Sequence, residues 1–292
     1  MNFQQKLDRV VKKNKSLVCV GLDSDIEKIP KHIREKEHPQ TTFNKMIIDA
    51  TYDLVCAYKP NSAFYEAEGK KGIAELKMTC NYLRKKYPEI PIILDAKRAD
   101  IGSTNRGYVK FVFDFLKVDA ITLHPYLGKE ALQLFLDFKD KGCIILCKTS
   151  NPGSDEFQNL TVSDKYHLTH DRRQDGKANL YQLYQFVAKK VARDWNKNGN
   201  CLLVVGATYP KELKEVRKIV GEMTILIPGI GAQGGDLKET LRYGLNSKKS
   251  GIIINSSRGI IFASKEKDFE EKAREEAKKL KEEINNLMDM EF

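Results

Sequence analysis

Eight short apolar runs, separated by longer segments of helical periodicity, constrain this chain more than any other feature. The runs are "LVCVGLD" (17–23), "CAYKPN" (56–61), "IPIILDAK" (90–97), "VDAITLHP" (118–125), "GCIILCKTS" (142–150), "CLLVVGAT" (201–208), "MTILIPGI" (223–230) and "SGIIINSS" (250–257). They are continuously apolar rather than alternating, which fits parallel strands covered on both faces. The segments between them read as amphipathic helices. Within 179–195, Leu180, Leu183, Tyr184, Val187, Val191 and Trp195 recur every three or four residues and define one face. Segments 73–87 and 104–116 repeat the pattern after the second and third runs. Eight βα units in about 265 residues match an α/β fold of the (β/α)8 TIM-barrel type. A doubly wound sheet is the competing architecture. It usually carries a glycine fingerprint after the first strand, where this chain has "GLDSDIEKIP" instead.

A single domain spanning 1–292 is expected, with two segments outside the repeat. Residues 151–178 form a polar stretch after the fifth strand, long enough to be a lid or an insertion. From about 265 to 292 the chain reads as a charged helix, with Phe269, Ala273, Ala277, Leu280 and Ile284 on one stripe. That stripe is expected to pack outside the barrel, without a chemical role. No apolar stretch approaches the roughly 20 residues of a membrane span, and the polar N-terminus lacks a secretory apolar core. Six cysteines fall singly with no CxxC pair, so reduced core thiols in a cytoplasmic protein, and no metal site, are expected.

A net charge of +10 raises nucleic acid as a partner. The lysines, however, interleave with glutamates, as in "KEKDFEEKAREEAKKLKEE", and no basic-aromatic run occurs. A solvated surface is the better reading, and a basic field suits a small anionic substrate equally well.

Barrel active sites lie at the C-terminal ends of the strands. Polar residues collect there: Asp23 after the first run, Lys59 and Asn61 after the second, Asp95, Lys97 and Asp100 after the third, and Lys148, Thr149 and Ser150 after the fifth. The seventh run continues into "PGIGAQGGD", and the eighth into "NSSRG". Gly229, Gly231, Gly234 and Gly235 let backbone N–H groups approach an anion, with a helix beginning near Gly234 or Asp236. Arg258 can add a charged fork, at the position where barrels commonly hold phosphate. Period-two geometry places Asp95 and Lys97 on one strand face, with Lys59 one strand away. Alternating lysines and aspartates in one pocket keep the lysines protonated. At 4 Å and an effective dielectric near 20, one such pair is worth roughly 4 kcal/mol.

"LDAKRADIGST" (94–104) resembles the signature of the orotidine 5'-phosphate decarboxylase family, Asp-x-Lys-x-x-Asp-Ile-x-x-Thr. "GLD", "YKPN", "TSNPGS", "PGIGAQGGD" and "NSSRGI" extend the match across most of the chain, and the third and fourth look like the longer bacterial-type branch. The resemblance implies cofactor-free, metal-free removal of the C6 carboxylate of orotidine 5'-phosphate to give UMP. It makes Lys97 the proton donor and sets Asp95 beside the substrate carboxylate, with Lys59 bridging toward the ribose. Asp23 and Asn61 would hold ribose hydroxyls, Ser150 the pyrimidine edge, and Gln233, Arg258 and the Gly231 turn the phosphate. It also implies a homodimer whose Asp100 and Thr104 complete the neighbour's site. Residues 160–178 and the long C-terminal helix depart from the family pattern.

The nearest rival is a magnesium-dependent sugar-phosphate enzyme of the same superfamily, of the 3-keto-gulonate-phosphate decarboxylase or hexulose-phosphate synthase type. Such enzymes place an acidic residue near the position of Lys59, so the lysine favours the orotidine reading. A basic nucleic-acid-binding barrel without catalysis is a rival of another class, but no catalytic position is missing. His124 reads as structural, and Arg98 is left without a catalytic role.

Overall fold

The computed structural model describes residues 1–163, 179–230 and 234–291. All eight expected runs form parallel strands: β1 (Val18–Leu22), β2 (Ala57–Pro60), β3 (Ile93–Arg98), β4 (Ala120–Leu123), β5 (Gly142–Lys148), β8 (Cys201–Val205), β9 (Ile225–Pro228) and β10 (Ile252–Ser256). The sheet order is β2-β1-β10-β9-β8-β5-β4-β3. Parallel bridges Tyr58–Ile92 and Asn61–Asp95 bring its two edges together, closing the barrel. Around this ring β9 lies opposite β3, four strands away in either direction.

The strands read as unbroken apolar runs because both faces are buried. In β1, Val18, Val20 and Leu22 point outward against the helices, while Cys19 points inward. The interior layer joins Cys19 to Cys56, Ile93, Ala120, Ile144, Leu202, Leu226 and Ile253. Helix Phe3–Asn14 seals the N-terminal mouth by inserting Phe3 and Leu7 into that layer. It starts at a reciprocal cap, Gln5 N–H to Asn2 Oδ1 and Asn2 N–H to Gln5 Oε1.

One expected helix begins later than its periodicity suggests. Leu180 belongs to β7 (Leu180–Gln182), which pairs antiparallel with β6 (Thr161–Ser163), and is 69% exposed. Gln182 exchanges a reciprocal cap with Gln185, so the helix starts at Leu183, and Leu180 falls outside the buried face that includes Tyr184, Val191 and Trp195. Before this hairpin, the segment after β5 forms a turn (Pro152–Ser154) and a short helix (Asp155–Gln158). The remainder of the expected insertion, 164–178, lies outside the described residues.

The C-terminal helix (Phe269–Glu291) packs outside the barrel, burying Phe269, Ala273, Ala277 and Ile284 with Leu280 beside them. Arg274 pins it through a forked pair with Asp53, at 2.6 and 2.8 Å. Among the described residues no helix is long and apolar enough to cross a membrane.

Candidate active site

At the C-terminal mouth a cavity of about 480 Å³ is lined by Asp23, Lys59, Asn61, Asp95, Lys97 and Ser150, by Gly229, and by Arg258. Its most structured wall is the end of β3. The Asp95 carboxylate accepts Lys59 Nζ at 2.7 Å on one oxygen. Its other oxygen accepts Lys97 Nζ at 2.6 Å and the Thr122 hydroxyl at 2.9 Å. Burial penalises the Asp95 charge, yet the two ammoniums more than compensate and hold the carboxyl well below its usual range. For Lys59, burial likewise opposes the charge, but Asp95 and Asp23 outweigh it and hold the ammonium above the ordinary lysine value. Lys59 is almost fully enclosed, whereas the Lys97 side chain is 51% exposed and reaches into the open pocket.

Simple strand alternation does not bring Lys97 to Asp95. The β3–β4 register shifts between Leu94 and Arg98, and Lys97 adopts φ +47°, in the left-handed region that non-glycine residues avoid. Such a backbone costs of order 1–3 kcal/mol unless its surroundings enforce it. Here Thr122 enforces it: its Oγ1 accepts the backbone N–H of Ala96 (3.0 Å) and of Lys97 (2.9 Å) while donating to Asp95. Thr122 thus shapes the bulge and orders the charge array, a role missed by the sequence reading. Its only signal there was a hydroxyl inside an otherwise apolar run.

Asp23 and Asn255 each keep a buried side-chain oxygen without a hydrogen-bond partner among the described residues. Both line the cavity, so both are available to a polar ligand. Close approach of β1 to the end of β10 requires Gly21, because a Cβ there would sit 1.8 Å from Ser257 Oγ.

Opposite β3, the turn after β9 carries the anion features. Gly229 and Gly234 have φ of +105° and +75°. Gly235 N–H bonds the Gly229 carbonyl at 3.1 Å, closing the turn. Asp236 caps helix Leu237–Gly244, near the expected start. Arg258, next to this turn in the ring, is exposed and has no side-chain partner among the described residues. Gly231 and Gln233 lie outside the described residues.

Of the polar trio expected after β5, Thr149 and Ser150 line the cavity and Lys148 does not. The β5–β8 register shifts between Leu146 and Lys148, and the Lys148 side chain is buried away from the pocket. Asp100 and Thr104 are also absent from the cavity wall. Asp100 begins the connection into helix Gly102–Val109, its backbone N–H held by Asn105 Oδ1 at 3.0 Å. His124 bonds the Ala99 carbonyl at 3.2 Å. Arg98 pairs with Glu66 and lies over the Tyr108 ring, so neither it nor His124 joins the cavity.

Residues 16–275 match the family model described as Orotidine 5'-phosphate decarboxylase / HUMPS family. The chain is similar to the orotidine 5'-phosphate decarboxylase of Janthinobacterium sp. (strain Marseille), 45% identical over 288 residues that cover 99% of this chain and 100% of that protein. It is equally similar to that of Flavobacterium johnsoniae, 45% identical with full coverage of both (100% and 100%). Among solved structures it superposes on Leishmania donovani OMP decarboxylase with a TM-score of 0.82 at 37% identity, covering 99% of this chain and 100% of that one.

Proposed function

The chain belongs to the orotidine 5'-phosphate decarboxylase / HUMPS family, and we propose from that premise how its pocket removes the C6 carboxylate of orotidine 5'-phosphate. The enzyme is a carboxy-lyase of pyrimidine biosynthesis. The observation that carries the residue assignment is one carboxylate bracketed by two ammoniums, facing a glycine turn and an arginine that has no side-chain partner among the described residues.

A nucleotide lying across the cavity sets its phosphate against Arg258 and the Gly229–Gly235 turn, with Gly231 and Gln233 completing the grip. Asp23 and Asn61 receive the ribose hydroxyls, and Ser150 the pyrimidine edge. The substrate carboxylate then lies beside Asp95. As the C6–carboxylate bond breaks, its electron pair stays on C6 and carbon dioxide leaves. The Lys97 ammonium stabilises that developing charge and delivers its proton to C6, giving UMP. Solvent can then reprotonate Lys97, whose side chain stays half exposed. Lys59 and Thr122 keep Asp95 ionised and aimed, so little reorganisation is needed as charge develops.

The magnesium-dependent alternative is not favoured. Both oxygens of Asp95 are already engaged by Lys59, Lys97 and Thr122, leaving a poor donor set for a divalent cation. The proposed cytoplasmic homodimer takes support from six buried free cysteines and from Ile101, Tyr126 and Leu127, which are exposed apolar residues on the connections after β3 and β4.

Absorbance at the pyrimidine band tests the reaction. Orotidine 5'-phosphate should be consumed at an undiminished rate in excess EDTA, and a 3-keto sugar acid phosphate should be untouched. Magnesium-restored turnover of the sugar acid with none of the nucleotide would reverse the assignment.

A further inference from the structure

We propose that Lys148 is a positioning residue for pyrimidine recognition, acting through the pocket wall Thr149–Asn151 without touching substrate. The inference rests on the reading of Ser150 as the residue facing the pyrimidine edge. Lysine is almost never fully buried, because its ammonium is costly to take out of water without several partners. The Lys148 side chain is 0% exposed. Its Nζ donates to Ser154 Oγ at 3.1 Å, Asp155 Oδ1 at 2.5 Å and Asn159 Oδ1 at 3.0 Å, one acceptor for each N–H. The Tyr209 ring adds a cation–π contact with its centroid 4.3 Å away. Ser154 in turn donates to Tyr209 Oη at 3.0 Å.

These contacts make a buckle. The chain leaves β5 at Lys148, passes through Pro152–Ser154 and Asp155–Gln158, and returns to the same ammonium. Inside it, Thr149 N–H donates to Gln158 Oε1 (2.9 Å), and Gln158 Nε2 donates to Thr149 Oγ1 (2.8 Å). That hydroxyl donates onward to Asn151 Oδ1 at 2.7 Å. From the other side, Gly206 N–H bonds the Lys148 carbonyl at 2.8 Å. A Cβ on Gly206 would lie 2.8 Å from Ser150 Cα, so the Ser150 backbone rests against a surface only glycine leaves open. Thr149, Ser150, Asn151 and Gln158 all line the cavity, on one segment closed by one buried ammonium. Neither Arg258 nor Lys97 is on that segment, so the buckle acts on the base and not on the phosphate or the reacting carbon.

The test compares Lys148→Met with the wild-type enzyme, using inhibition by UMP, CMP and inorganic phosphate alongside KM and kcat. UMP and CMP differ only at the pyrimidine edge. The preference for UMP over CMP should fall by about tenfold or more, since discrimination by hydrogen bonding collapses when its donor is misplaced. KM for orotidine 5'-phosphate should rise, and inhibition by phosphate should stay unchanged. Asp155→Asn should shift the preference in the same direction by less, and the double variant should be no worse than Lys148→Met alone. Should Lys148→Met fail to fold, Asp155→Asn and Asn159→Ala carry the same readout. Equal weakening of phosphate, UMP and CMP would overturn the inference, as would an unchanged preference where Ser150→Ala abolishes it. If Ser150→Ala leaves the preference intact, the underlying reading of Ser150 falls instead, and the inference with it.

Discussion

Lys97→Ala should lower kcat by about four orders of magnitude or more, while UMP and inorganic phosphate bind within about threefold of wild type. Two effects are lost together. On the proposed mechanism the variant loses both the ammonium that stabilises the charge left when carbon dioxide departs and the acid that supplies the proton. The proposed phosphate site, after β9 and β10, is on strands other than β3, so ground-state binding is expected to survive. The half-exposed Lys97 side chain, the left-handed backbone beneath it and the Thr122 hydroxyl that enforces that backbone make sense as one device for aiming an ammonium. The absorbance assay and inhibition titrations measure both halves. Near-normal turnover would remove Lys97 from the chemistry, and parallel loss of phosphate binding would mean that the variant had disturbed the whole pocket.

Asp100→Ala should be almost as damaging, but the loss should be repairable from outside the subunit. Asp100 does not line the cavity of its own chain, although it lies only three residues from Lys97. With two-fold symmetry, a hybrid of Lys97→Ala and Asp100→Ala subunits contains one site lacking both groups and one site lacking neither. Random equal mixing of two inactive proteins should therefore restore roughly a quarter of wild-type activity. Native mass spectrometry can confirm that hybrids formed. Hybrids without activity would rule out action of Asp100 across the interface.

The barrel was legible because a strand buried on both faces leaves an unmistakable continuous apolar run, and all eight such runs became strands. Position within the barrel then made the strand-end polar residues legible, and Asp23, Lys59, Asn61, Asp95, Lys97, Ser150 and Arg258 meet around one cavity. What escaped was local backbone geometry. Periodicity assigned Leu180 to a helix because it fits the spacing, but a side-chain cap at Gln182 starts the helix later. Alternation suggested how Asp95 and Lys97 meet, while the actual cause is a bulge held by Thr122 from the adjacent strand. Lys148 looked like a third pocket residue of β5 until another register shift turned it beneath the wall. Register shifts of this kind depend on pairing with a neighbouring strand, so spacing along one run carries no trace of them.

The most direct test of a pocket with a phosphate pole and a carboxylate pole compares orotidine 5'-phosphate with orotidine lacking the phosphate, in the same metal-free absorbance assay. If binding energy at the Gly229–Arg258 end is used to assemble the reacting end, the nucleotide should be decarboxylated and kcat/KM for the nucleoside should fall by at least about a thousandfold. Equal rates for the two, or no consumption of the nucleotide, would contradict the assignment.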